Sequence, residues 1–180
     1  MLLVAVIAST LAASAEYVGS DPSQAVYLSQ TKKHTCTLIA AAMMLRNFAE
    51  LHQMDPELFP EESVRSSAWH DGLRHDFDVM HINVQCTSTI LETDDRKAYL
   101  ITFLRHHPEG IVIYNADQPH ALLLLGYDSD TDVFYCADTT TKRAGQRIRL
   151  TDSLLKGQDQ EAIIRSLDRI WYVTGIQPDT

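Results

Sequence analysis

TCTLIAAAMMLRNFAEL, residues 35–51, is the stretch whose reading decides the fold. Thr35 suits the cap position of a helix that begins near Cys36 and runs to about Leu51. Leu38, Ala42, Leu45 and Ala49 form one stripe at helical spacing, and Ile39 and Met43 widen it. A helix this apolar around its first turns has to be buried rather than laid on a surface. Downstream the texture turns to strands. Gly110–Tyr114, His120–Tyr127, Val133–Ala137, Gln146–Leu150 and Ile170–Thr174 read as β, and His120–Tyr127 is apolar enough to need cover on both faces. A second clear helix opens at Asp94-Asp95 and ends about His107, stopped by Pro108 and Gly110. Helices first and antiparallel strands afterwards give an α+β expectation: a central N-terminal helix packed on an antiparallel sheet.

The remaining segments are read from local signals. Gly19–Ser23 is a loop, Asp55-Pro56 and Pro60-Glu61-Glu62 open short helices, Trp69–Asp76 is loop or helix end, and Met80–Val84 is a strand. Asp128–Asp132 makes a turn, and short helices are expected near Thr151–Leu155 and Gln160–Leu167.

At 180 residues the chain is one domain by size, and its 45% hydrophobic and 22% charged residues are ordinary for a globular protein. The formal charge of −9 disfavours nucleic acid and anionic lipid as partners. Residues 1–15, MLLVAVIASTLAASA, read as a signal peptide: Leu2–Ile7 form an apolar core and Ala13-Ser14-Ala15 fits a cleavage site. No Lys or Arg follows Met1, so an N-terminal strand or helix is the other reading. On the first reading, the domain is 16–180 and the protein is secreted or held in the cell envelope; on the other, it is cytoplasmic. No run approaches transmembrane length. Three cysteines leave two options open: Cys86 paired with Cys136 and Cys36 free, or all three reduced.

Cys36 sits where a helix begins, and the unpaired N–H groups of a helix N-terminus stabilise a thiolate. Gln30 lies six positions upstream. Its amide, with the Cys36 backbone N–H, could supply the donors of an oxyanion hole. His120 opens the most apolar strand, and Asp138 closes the next one. In a hairpin of those two strands, the start of the first lies beside the end of the second, which makes His120 and Asp138 neighbours. A carboxylate there would hold the imidazole in one tautomer and orientation.

Taken together, Gln30, Cys36-Thr37, the run His120–Asp128 ending Gly126-Tyr127-Asp128, and Ala137-Asp138 resemble the papain-like cysteine peptidases, in particular the bacterial C39-like group. The similarity covers about residues 24–150. It implies a papain-like fold and a cysteine peptidase with Cys36 as nucleophile, His120 as acid and base, Asp138 orienting His120, and Gln30 in the oxyanion hole. The implied partner is a peptide or protein substrate, and the chemistry needs no cofactor. Thr139 stands where many relatives have Pro, and residues 52–92 match nothing in the pattern. Two other readings keep the fold: an amidase or transglutaminase-like acyl transferase on cell-wall peptides or glutamine side chains, and a non-catalytic peptide-binding module.

Other signals carry less. Asp128-x-Asp130-x-Asp132 begins like a calcium loop, but Val133 replaces the glycine that loop needs. His70, His75 and His81 near Cys86 match no zinc spacing. His106-His107 suits a helix C-terminus, and one of Trp171 and Tyr172 belongs in the core.

Overall fold

The computed structural model describes residues 16–21, 23, 27–68, 75–140 and 145–176. In chain order these form β1 (Tyr17–Gly19), α1 (Cys36–Leu51), α2 (Glu61–Ala68), β2 (Phe77–Val79), β3 (Ile82–Thr87), α3 (Arg96–His106), β4 (Ile111–Asn115), β5 (His120–Asp128), β6 (Val133–Asp138), β7 (Arg147–Arg149), α4 (Gln160–Arg165) and β8 (Arg169–Ile176). Among the described residues there are thus four α-helices and eight strands, and every strand pairing is antiparallel. The chain is α+β, as its order of elements indicates. The sheet runs β2-β3-β8-β4-β5-β6-β7, with β1 added to the far end of β5.

α1 spans the residues its sequence foretells, and Leu38 to Leu45 are all buried in it. They pack on one sheet face against Val112, Ala121, Leu123, Leu125, Ala137, Trp171 and Val173. The other face carries Leu122, Leu124, Ile111, Ile113, Cys136 and Ile170, covered by Leu100 and Leu104 of α3 and by Ile163 and Ile164 of α4. This two-sided cover explains why β5 has no polar alternation: both faces of Ala121–Leu125 are buried. β4, β5, β6 and β8 therefore form the buried middle of the sheet, and His120 and Asp138 stand at one end of it. Trp171 is the core member of its pair, and Tyr172 lies on the α3 side.

Several expectations need correction. Thr35 occupies the cap position of α1, yet its hydroxyl donates to the Lys32 carbonyl at 3.0 Å and caps no helical N–H. The strand expected at Met80–Val84 is a hairpin instead: β2 and β3 are joined at Met80 and His81, with φ of 50° and 64°. Two successive positive φ angles suit the tight turn that matches strand twist, although neither residue is the usual Asn or Gly. Gly19 lies within β1 rather than in a loop, and the helix near Thr151 shrinks to a single 3-10 turn at Leu150–Asp152.

A Cys86–Cys136 disulfide is excluded by topology, and the three cysteines are free. β3 and β6 are separated by β8, β4 and β5. Four strand spacings amount to about 19 Å, well beyond the roughly 7 Å a disulfide can bridge. Residues 1–15, His70 and most of Trp69–Asp76 lie outside the described residues. Among those described, no helix is long and apolar enough to cross a membrane, and no cluster of His, Cys, Asp and Glu could hold a metal.

Candidate functional site

The register of one hairpin builds half of the site. β5 and β6 pair Leu122 with Asp138, so His120, two residues earlier on the same side of β5, is the diagonal neighbour of that carboxylate. The ring completes the approach: His120 Nε2 lies 3.1 Å from Asp138 Oδ1. The Asp138 side chain is fully enclosed and the His120 side chain is 13% exposed.

α1 supplies the other half. Its first residue, Cys36, lies against the start of β5, close enough to the His120 ring, the Ala121 backbone N–H and the Thr37 hydroxyl for all three to favour its thiolate. With Nε2 directed to Asp138, Nδ1 is the ring nitrogen left for the thiol. No acidic residue stands in the first turn of α1, so the positive end of the helix acts on Cys36 unopposed by its own neighbours.

The electrostatics follow from those contacts. Burial alone would push the Cys36 thiol up, but His120, Ala121 and Thr37 outweigh it and hold its pKa below the ordinary thiol value. Burial likewise disfavours a charged His120, yet Asp138 and Cys36 prevail and push the imidazolium pKa up to about 9. Asp138 is buried, which opposes ionisation, but His120 and the N–H groups of Leu154 and Thr140 keep it ionised, below the usual carboxylate range. At neutral pH these directions favour a thiolate–imidazolium pair backed by a carboxylate.

Sequence reasoning missed the far side of the carboxylate. Leu154 N donates to Asp138 Oδ2 at 2.8 Å, and Thr140 N donates to Oδ1 at 3.2 Å. Both donors are backbone groups, which leave no mark in residue type. The Ala121 N–H beside the sulfur was invisible for the same reason.

Gln30 comes close by a route its spacing does not reveal. Its backbone N donates to the Thr139 carbonyl at 2.7 Å, next to Asp138, and Thr139 Oγ1 donates to its Oε1 at 3.3 Å. One amide hydrogen goes to the Lys32 carbonyl at 3.1 Å, and among the described residues the second has no acceptor. A cleft of about 330 Å³ adjoins this loop, between α1 and the start of α2, with Leu28, Ile39 and Pro60 among its walls.

Of the four residues expected to act together, the structure hydrogen-bonds His120 to Asp138, sets Cys36 beside His120 at the head of α1, and places Gln30 on the loop tied next to Asp138. The acidic turn after β5 is a turn: Asp128 Oδ1 accepts from Asp130 N at 2.9 Å. No family model, curated protein or solved structure matches this chain.

Proposed function

We propose that the chain is a papain-like cysteine peptidase, and the observation that carries the reading is Cys36 at the head of a buried helix beside the hydrogen-bonded His120–Asp138 pair. A thiol held below its ordinary pKa beside an imidazole held above its own is the resting state that thiol-dependent acyl transfer requires. Gln30, Cys36, His120 and Asp138 together resemble the C39-like pattern, which supports the reading.

The mechanism follows from the geometry. The Cys36 thiolate attacks a peptide carbonyl carbon, forming the C–S bond as the carbonyl electron pair moves to oxygen. That oxyanion is met by the Cys36 backbone N–H, which has no acceptor inside its own helix, and by the free amide hydrogen of Gln30. The imidazolium of His120 gives its proton to the leaving amine as the C–N bond breaks. Neutral His120 then takes a proton from water, whose oxygen attacks the thioester, and the C–S bond breaks to restore the thiolate. Asp138 holds Nε2 throughout, so Nδ1 performs both transfers.

The cleft beside the Gln30 loop supports a peptide as substrate. Its walls include apolar Leu28, Ile39 and Pro60, while Lys32 and Glu62 on its rim lie 3.8 Å apart and offset each other. An extended chain with a neutral side chain at this position suits it. Export through residues 1–15 belongs to the same proposal.

A mixed peptide library incubated with wild type and with Cys36→Ala, read by mass spectrometry, tests the assignment. Wild type should yield cleaved peptides and Cys36→Ala none. Equal cleavage by both proteins would overturn it. A wild-type protein that attaches added amines to the acyl group, without hydrolysis, would move it to the acyl transferases.

A further inference from the structure

The His120–Asp138 pair belongs to a closed circuit of hydrogen bonds that returns through a glutamine outside the site. Gln118 stands two residues before His120, separated from it only by Pro119. Its Nε2 donates to the Lys156 carbonyl at 2.8 Å, and its Oε1 accepts from the Lys156 N–H at 2.7 Å. One side-chain amide thus pairs with both polar groups of one backbone residue, as a neighbouring strand would. Two residues back from Lys156, Leu154 N–H grips Asp138 Oδ2. Followed around, the circuit runs Gln118, Pro119, His120, Asp138, Leu154, Leu155, Lys156 and back to Gln118.

Each link has a physical reason. The proline fixes its own φ and disfavours helical backbone at Gln118, so displacement of Gln118 passes to His120 with little slack. The β4–β5 turn is anchored from behind: Gln118 N donates to Asn115 Oδ1 at 3.1 Å, and fully buried Asn115 donates to Ser166 Oγ at 2.8 Å. Among the described residues, the 153–156 segment is held by Leu155 in the core and by few hydrogen bonds. Ser153 N bonds the Leu150 carbonyl and Leu155 N bonds Ser153 Oγ, both within the segment's own neighbourhood. Its cross-links in this circuit are those to Asp138 and to Gln118.

We infer that Gln118 is a positioning residue for the site: by clamping Lys156 it holds the Leu154 N–H on Asp138 and so fixes the carboxylate that orients His120. This inference rests on the reading of Cys36 as the nucleophile. Gln118 touches neither the thiol nor a reacting atom. Only a side-chain amide serves the clamp, because the partner presents one donor and one acceptor; Glu keeps the acceptor alone, and Asn is one methylene too short. The charged groups acting on His120 are Asp138 from β6 and Cys36 from α1, so a displaced Asp138 leaves no second carboxylate to take its place.

The test is the pH dependence of Cys36 alkylation by iodoacetamide, with mass-spectrometric localisation, in wild type, Gln118→Ala, Gln118→Glu and Gln118→Asn, alongside melting temperatures. Gln118→Ala should slow alkylation about tenfold at pH values below the ion pair's titration, the effect of a one-unit upward shift in it. Gln118→Glu should fall between it and wild type, and Gln118→Asn should resemble Gln118→Ala. A folded Gln118→Ala with a wild-type profile and only a lower melting temperature would overturn the inference, marking the clamp as structural. If Gln118→Ala does not fold, Gln118→Glu decides: an unshifted profile in it overturns the inference equally. An ordinary-thiol profile in wild type itself would instead remove the nucleophile reading, and this inference with it.

Discussion

Among the described residues there are two histidine–carboxylate pairs of nearly equal length, and they differ in what occupies the other side of the ring. His120 Nε2 lies 3.1 Å from Asp138, and His107 Nδ1 lies 3.0 Å from Glu109, whose residue is only 4% exposed. Around His107 the neighbours are rings: Phe103 stacks at 5.7 Å and Tyr172 tilts against it at 5.0 Å. Around His120 the neighbour is a thiol at the positive end of a helix. Glu109 is used further by its backbone, whose carbonyl accepts from Asn47 Nδ2 of α1 at 3.0 Å. The His107 pair therefore stitches the end of α3 to the end of α1, whereas the His120 pair faces a thiol at the opposite end of the same helix. A buried imidazole bonded to a carboxylate is thus a structural unit available for either task, and the third partner selects which.

The strongest way to break the comparison is to remove the carboxylate from each pair. Asp138→Ala should lower peptide hydrolysis by about 10²-fold or more, because His120 loses both its tautomer lock and the charge that sustains the imidazolium. Steady-state kinetics on the best library peptide would measure this, and a loss under threefold would contradict the role given to Asp138. Glu109→Gln provides the mirror experiment. It should leave hydrolysis within about twofold while lowering stability by about 1–3 kcal/mol, the range for disturbing a buried hydrogen-bonded group. Denaturant unfolding and the same kinetic assay would check it. A large kinetic loss in Glu109→Gln would show that the two pairs are coupled through α1.

The legible part of this molecule was what side-chain chemistry writes into the sequence. α1 could be placed from near Cys36 to about Leu51 because its burial shows in the apolar run Leu38–Leu45. His120 and Asp138 could be paired by counting, since a hairpin between two evident strands leaves few registers. The unread part depends on backbone groups and on distant partners. β1 is three residues long and gains its place only by pairing Tyr17–Gly19 with Gly126–Asp128. β8 enters between β3 and β4, which no local pattern signals. The turn at Met80–His81 lacks the residues that usually mark it. The Leu154 N–H on Asp138 and the Gln118 clamp on Lys156 join segments that nothing in residue spacing connects. Gln30 was placed near the site by its distance from Cys36, but its bonds to Thr139 and Lys32 emerge only once β6 and the loop are side by side.

The ion pair also ties stability to pH, with a sign that can be stated. The pKa of His120 is raised to about 9 in the folded chain from an ordinary 6.5. Its contribution is complete below 6.5 and fades as pH rises through about 9. The Cys36 and Asp138 shifts are downward, so their contributions fade as pH falls through their lowered values.

The most direct test of the central claim is the pH profile of Cys36 alkylation in wild type and His120→Ala. Cys86 serves as an internal control, its thiol pushed up to about 11 mainly by burial. At about pH 6, where an ordinary thiol near pKa 8.5 is under about 1% ionised, wild-type Cys36 should already label while Cys86 stays unmodified. In His120→Ala that reactivity at low pH should vanish, leaving only labelling near the ordinary thiol range. Wild-type labelling confined to the ordinary range, or a profile unchanged by His120→Ala, would contradict an ion-paired nucleophile at Cys36.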